Sequence, residues 1–112
     1  MRLLCPLSDL PEGEARGFAP PPGSFIGLFA VCHLGKIQVY LNSCPHLGVA
    51  LDWAPHQFLT LTKERIICAT HGAEFRIEDG EALSGPCAGD RLTKIECHIK
   101  NGDLYVRDDA GL

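Results

Sequence analysis

The sequence lacks any long hydrophobic run: no apolar stretch approaches the roughly 18 residues that a membrane-spanning helix needs. The first six residues contain one basic residue and too few apolar residues for the hydrophobic region of a signal peptide, and no two arginines are adjacent. We therefore expect a cytoplasmic protein with no membrane partner. In that reducing compartment, the six cysteines are expected to stay reduced and available for metal binding rather than to form disulfides.

The residue arrangements of common catalytic sites are also missing. No nucleophile–base pair, phosphate-binding glycine loop or pair of catalytic carboxylates stands out, which disfavours an enzyme. The formal net charge of −4 argues against nucleic acid as a partner. A length of 112 residues predicts a single domain over residues 1–112, and nothing in it indicates an obligate dimer, so we expect a monomer.

Hydrophobic residues alternate with a period of two, and no convincing helical period of 3.6 is found. Residues 37–42 and 94–100 show the alternation, and Leu34-Gly35 and Asn101-Gly102 are typical of tight hairpin turns. The pattern therefore predicts an all-β protein of short antiparallel strands. The expected strands lie at 25–33, 36–42, 74–77, 82–83, 93–100 and 103–107, with two more inside 58–68 around a turn at 63–64.

Two short motifs combine cysteine with histidine: Cys44-x-His46 and Cys68-x-x-His71. Two thiolates and two imidazoles suit zinc or an iron–sulfur cluster. Zinc sites more often pair cysteine with cysteine and histidine with histidine. The single residue between Cys44 and His46 is tight for two ligands of one ion, and it fits more easily if they bind different irons. An iron–sulfur centre is favoured, and a structural zinc module stays open.

This ligand pattern resembles that of the Rieske [2Fe-2S] family, in which two histidines replace two cysteines on one iron. The resemblance implies that Cys44 and Cys68 bind one iron of a single [2Fe-2S] cluster. It implies that His46 and His71 bind the other iron through Nδ1, leaving Nε2 outward.

Further parts of the chain carry the same resemblance. Gly48 and Gly72 fall where the family has glycines that supply backbone donors, and residues 84–87 resemble a third loop whose Gly-Pro pair shields the cluster from water. The implied fold is a Rieske-type antiparallel β-sandwich or barrel, with a small cluster-binding subdomain of loops and short strands at about 43–90.

Four positions depart from the respiratory-complex type of Rieske protein. That type has one extra cysteine in each ligand loop, and the two form a disulfide; Val49 and Thr70 stand there instead. It also has serine and tyrosine hydroxyls where this chain has Ala73 and Phe75. Each missing donor removes stabilisation of the reduced cluster, so we expect a midpoint potential of roughly −150 mV, at the low end of the Rieske range.

The function that the resemblance implies is one-electron transfer. Such a ferredoxin would accept electrons from a flavin-dependent reductase and pass them to a terminal oxygenase or a similar acceptor, with His46 and His71 as the exit points. One alternative is a small Rieske subunit docked permanently in an oxidoreductase, similar to the small chain of assimilatory nitrite reductases. The other is the structural zinc module.

The remaining cysteines and histidines invite simpler interpretations. Cys5, Cys32 and Cys97 lie in strand-like runs and are expected to be small core residues. Cys87 is interpreted as a buried thiol, with redox sensing as the alternative. His56, between the two motifs, is expected to be a surface histidine, with partner docking as the alternative.

Overall fold

The computed structural model describes residues 1–20, 22–45, 48–69, 72–85 and 88–110, and confirms the prediction of an antiparallel all-β protein. A single 3₁₀ turn at Leu7–Asp9 accompanies the strands in these residues, and no helix in them is long and apolar enough to cross a membrane. Within the described ranges the strands are β1 (Arg2–Pro6), β2 (Ala15–Phe18), β3 (Leu28–His33), β4 (Lys36–Leu41), β5 (Arg65–Ile67), β6 (Glu74–Arg76), β7 (Ala82–Ser84), β8 (Lys94–Ile95), β9 (Cys97–Lys100) and β10 (Asp103–Val106).

These strands form three antiparallel sheets. Strand order is β1-β10-β9 in the first sheet, β2-β3-β4-β8 in the second and β5-β6-β7 in the third. The first sheet joins the N-terminal strand to the last strand of the chain. The third sheet is built wholly from residues that follow the first cysteine–histidine motif. The first motif comes at the start of the connection between the second and third sheets, and the second motif lies between β5 and β6 of the third sheet.

The two tight turns predicted from sequence are present. Leu34 and Gly35 have φ of 53° and 76°, and Asn101 and Gly102 have φ of 53° and 78°. Positive φ at both central residues is typical of the two-residue turns that match the twist of a hairpin. Both predicted hairpins, β3–β4 and β9–β10, are therefore confirmed.

Two predicted strands differ from the observed ones by more than one residue. The strand expected at 25–33 begins only at Leu28, and Phe25, 98% exposed, lies in the loop between β2 and β3. The strand expected at 93–100 is interrupted at Glu96. Residues before Glu96 pair with β4 in the second sheet and residues after it pair with β10 in the first, so this stretch changes sheets midway.

Of the two strands expected in 58–68, one forms fully. Residues 65–67 form β5, while its predicted partner is reduced to an isolated bridge between Leu59 and Ile66. Hydrogen bonds from Ile67 N to Phe58 O (2.9 Å) and from Thr60 N to Arg65 O (2.9 Å) still fold this stretch back on itself. The predicted turn near residues 63–64 is thus present, but the strand before it is shorter than predicted.

Buried side chains form two clusters. One contains Leu28, Ala30 and Leu104 and lies between the first and second sheets. The other joins the second and third sheets: Phe29 stacks on Phe58 with ring centroids 4.4 Å apart. Both motif cysteines belong to this second cluster. The third sheet is therefore attached to the rest of the protein by the same apolar contacts that surround the candidate site.

Candidate metal centre

The first motif follows β4 directly. Cys44 is wholly buried, its N–H donates to the carbonyl of Val49 at 2.7 Å, and its own carbonyl accepts from Gly48 N–H at 2.7 Å. Gly48 has a φ of 72°, which a side chain would make unfavourable. We call residues 44–49 the first motif segment; it is closed on itself by these two hydrogen bonds.

The second motif follows β5 and repeats this arrangement. Cys68 is wholly buried, its N–H donates to the carbonyl of Ala73 at 2.8 Å, and its carbonyl accepts from Gly72 N–H at 2.8 Å. Gly72 has a φ of 71°. In this second motif segment, residues 68–73, the bonded positions stand at the same offsets from the cysteine as in the first.

The matched segments place two thiol side chains in equivalent local settings within one buried cluster. A hydrogen bond from Ala69 N to Leu51 O (3.0 Å) joins the second segment to the residues that follow the first. Two thiols held this way fit the paired donor set of an iron–sulfur centre, since soft thiolates are its usual ligands. His46 and His71, which the sequence pairs with these cysteines, lie outside the described residues.

The third segment predicted to cover the site meets the second motif segment. Gly85 has a φ of 94°, and a Cβ added to it would stand 2.7 Å from Ala73 Cα and 3.2 Å from Ala73 N. Gly85 therefore packs against the backbone of Ala73 more closely than any other residue type allows. Pro86 and Cys87, the rest of that prediction, lie outside the described residues.

The other described cysteines are separate from this pair. Cys5 is buried in the other core cluster, and Cys32 and Cys97 are partly buried against it, so the expectation of small core residues is confirmed. Burial is the main cause that raises the pKa of all three thiols, and for Cys32 the nearby Glu12 carboxylate adds to it. A raised pKa disfavours the thiolate, the form that binds metal.

His56 is exposed, as expected, but it also has a defined structural contact. Its Nδ1 accepts a hydrogen bond from Gly17 N–H of β2 at 3.0 Å. His56 itself has a φ of 65°, a left-handed conformation uncommon for a residue with a side chain. The contact ties the stretch between the two motif segments to the second sheet; nothing local in the sequence signals a bond to a residue so distant.

The sequence interpretation also missed Asn42, two residues before Cys44. Its side-chain Oδ1 accepts from Leu51 N–H at 2.9 Å and its Nδ2 donates to Asp52 Oδ1 at 3.2 Å. An asparagine directly after a strand is typical of turns and gives no indication of a partner nine residues ahead.

Comparisons with known proteins agree on one family. The Rieske [2Fe-2S] domain family matches residues 2–100 of this chain. The chain is 30% identical over 102 residues to the 3-phenylpropionate/cinnamic acid dioxygenase ferredoxin subunit of Escherichia coli strain K12, a match that covers 91% of this chain and 88% of that protein.

Solved structures show the same fold. The ferredoxin of Sphingomonas yanoikuyae B1 superposes with a TM-score of 0.68 at 23% identity, covering 93% of this chain and 94% of that chain. A chain from a complex of reduced oxygenase and oxidized ferredoxin in carbazole 1,9a-dioxygenase has a TM-score of 0.73 at 24% identity, with 93% and 89% covered.

Proposed function

The chain belongs to the Rieske [2Fe-2S] domain family, and we propose that it is the ferredoxin of an oxygenase system, a one-electron carrier rather than a catalyst in its own right. Family membership gives it one [2Fe-2S] cluster. When bound, the cluster accepts and releases one electron at a time. The protein's part is to hold this group, to exclude water and to meet its partners.

We propose Cys44 and Cys68 as the ligands of one iron and His46 and His71 as the ligands of the other. The observation that carries this proposal is the equal backbone bonding of the two motif segments, with both cysteines wholly buried in one cluster. Burial keeps water from the two cysteine side chains, and the closed segments would hold them in place.

The residues after the second motif set the expected potential. Ala73, the last residue of the second motif segment, and Phe75, two residues later, are both wholly buried, and neither carries a hydroxyl. We propose a midpoint potential of roughly −150 mV, at the low end of the Rieske range, because hydroxyl donors would favour the reduced state. A clearly positive midpoint in a redox titration would contradict this.

We propose that electrons come from a flavin-dependent reductase and leave to a terminal oxygenase through His46 and His71. The similarity to a dioxygenase ferredoxin subunit over most of both chains supports a carrier over a permanently docked small subunit or a zinc module. We further propose a cytoplasmic monomer. Residues 1–112 would form one domain, and about 43–90, which contain both motif segments and the third sheet, its cluster-binding subdomain.

Low-temperature EPR of the anaerobically purified protein, before and after dithionite reduction, tests the proposal. We expect a rhombic S = 1/2 signal on reduction, with an average g below that of all-cysteine [2Fe-2S] ferredoxins, because two histidines bind one iron. A colourless protein with stoichiometric zinc would overturn it. Reoxidation by a terminal oxygenase after reduction by its flavin-dependent reductase then tests the partners, and stable copurification with a large chain would favour the subunit alternative.

A further inference from the structure

Asn42 connects the two motif segments through a single buried residue. Its side-chain Oδ1 accepts from the N–H of Leu51 at 2.9 Å, and the carbonyl of the same Leu51 accepts from Ala69 N–H at 3.0 Å. Asn42 is separated from Cys44 by one residue, and Ala69 directly follows Cys68. The chain next to each cysteine is therefore linked across space by two hydrogen bonds and the backbone of Leu51.

Asn42 and Leu51 are themselves held in this link. The backbone N–H of Asn42 donates to Gly27 O at 2.9 Å, and its side-chain Nδ2 donates to Asp52 Oδ1 at 3.2 Å, which fixes the orientation of the amide. Leu51 is wholly buried within the cluster of side chains that contains both cysteines. Because the N–H of Leu51 is bonded to Asn42 and its carbonyl to Ala69, the backbone of Leu51 has little freedom to move.

The link bears on the separation between the two motif segments, which the hydrogen bonds inside each segment do not control. The bonds from Cys44 to Val49 and from Cys68 to Ala73 close each segment on itself, and they leave the distance between the segments to other contacts. A cluster with ligands on both segments requires a defined separation between them, since the geometry around a metal group depends on what orients its ligands.

We propose that Asn42 is a positioning residue that sets the separation of the two motif segments through Leu51. This inference rests on the proposed function, because the segments need a fixed separation only if they share one cluster. Asn42 touches no ligand atom in this proposal; it acts by holding the peptide of Leu51 against the second segment.

The test compares Asn42→Leu with His56→Leu as a matched control. Each variant removes one side-chain acceptor from a backbone N–H, at 2.9 Å for Asn42 and 3.0 Å for His56. Asn42→Leu also removes the donor to Asp52, and of the two residues Asn42 is the one that lies on the link between the segments. Two quantities are measured on the loaded proteins: the rate at which an iron chelator bleaches the visible absorbance, and the g values and line widths of the reduced EPR signal.

We expect Asn42→Leu to lose its cluster about tenfold faster than the parent, since a buried N–H is left without an acceptor, and to show a shifted or broadened EPR signal. His56→Leu should leave the signal unchanged. The proposal fails if Asn42→Leu matches the parent in both measurements. It also fails if the two variants speed cluster loss equally without any change in the signal, which indicates a general loss of stability.

Exchanging the two polar side chains supplies a rescue test that does not depend on Asn42→Leu folding. In Asn42→Asp alone, two carboxylates face each other across the present 3.2 Å contact, so cluster loss should accelerate. In the double variant Asn42→Asp with Asp52→Asn, the carboxylate at position 42 still accepts from Leu51, and the amide at position 52 donates to it. The double variant should therefore return to within about twofold of the parent; if it stays as impaired as Asn42→Asp alone, the proposal is wrong.

The same spectra separate this inference from the proposed function. A parent protein without the rhombic signal contradicts the proposed function itself. A parent with the signal, together with an unchanged Asn42→Leu variant, contradicts only the role of Asn42.

Discussion

The two motif segments have the same backbone hydrogen bonds, but the residue that closes the segment is exposed in the first and buried in the second. In each, the residue five positions after the cysteine accepts from the cysteine N–H: Val49 at 2.7 Å and Ala73 at 2.8 Å. Yet Val49 is 36% exposed, whereas Ala73 is wholly buried and packed against Gly85. The repeated spacing of cysteine and glycine thus sets the hydrogen bonds inside each segment. The exposure of the closing residue depends on which other part of the chain packs against it.

Both cysteines are wholly buried, so the difference concerns the fifth position alone: Ala73 lies under Gly85, and Val49 lies at the surface. We expect changes at Ala73 and at its contact with Gly85 to affect stability and potential more than the same changes at Val49.

The largest effect should come from filling the contact that covers the second segment. In Gly85→Ala, the new Cβ would overlap the backbone of Ala73 at 2.7 Å and would sit on a φ of 94°. We expect the free energy of unfolding to fall by about 3 kcal/mol, from backbone strain and overpacking together, with poor cluster retention. Chemical denaturation and iron content measure both.

Gly89→Ala is the matched control, because Gly89 has a similar φ of 96° but nothing within 4 Å of an added Cβ. Its free energy of unfolding should fall only by the cost of the backbone conformation, about 1–2 kcal/mol. Equal losses of unfolding free energy in the two variants would mean that the close packing of Gly85 on Ala73 does not contribute to stability.

The next effect concerns the far end of the strand that leaves the second segment. The chain runs from Ala73 through β6 to Ile77, whose carbonyl accepts a hydrogen bond from the buried Tyr40 hydroxyl of β4 at 2.5 Å. Tyr40→Phe leaves that carbonyl without this donor, and we expect a loss of about 1–2 kcal/mol in thermal or chemical unfolding. Tyr105→Phe, at a half-buried position on β10, is the control and should lose less. If the two losses are equal, the attachment of β6 through Tyr40 is unimportant.

A serine at the equivalent position of each segment tests the comparison through the midpoint potential. Ala73→Ser should raise the potential by about 40–60 mV, the equivalent of one hydrogen bond of about 1 kcal/mol to the reduced state in a one-electron couple. Val49→Ser, at the more exposed position, should shift it much less. Redox titration followed by visible absorbance measures both. Equal shifts, or a fall in Ala73→Ser, would show that burial does not distinguish the two positions.

The smallest effect lies away from both segments and tests stability against pH. Leu34 N–H and Gly35 N–H donate to the Glu12 carboxylate at 2.7 Å each, and these bonds hold its pKa below the ordinary value of 4.5. A carboxyl with a lowered folded-state pKa stabilises the fold above its unfolded-state pKa, and the benefit disappears as pH falls through the folded-state value.

Glu12→Gln should therefore flatten the dependence of unfolding free energy on pH below about 4.5, with no change in the EPR signal. Glu64→Gln, which removes one exposed carboxylate elsewhere, is the control for net charge. Acid denaturation followed by circular dichroism measures the slopes. An unchanged slope in Glu12→Gln would contradict a role for the β3–β4 turn in acid stability.

Much of the fold could be predicted because its signals are local. Alternation with a period of two indicated strands, and Leu34-Gly35 and Asn101-Gly102 indicated their turns, since positive φ is a property of those residues themselves. The strand limits at Leu28 and Glu96 could not be predicted, because they depend on which neighbouring strand supplies the hydrogen bonds.

The sequence alone determined the class of fold and the closure of each motif segment, and it supplied the proposed ligand set. The cysteine–histidine pairs at short spacing, each followed by glycine, reside in a few consecutive residues. The tertiary structure decided which of the two closing residues is buried. It also decided the hydrogen bonds that join Leu51 to Asn42 and Leu51 to Ala69. These contacts join residues that are distant in the chain, and their energies depend on distance and burial, which no short stretch of sequence encodes.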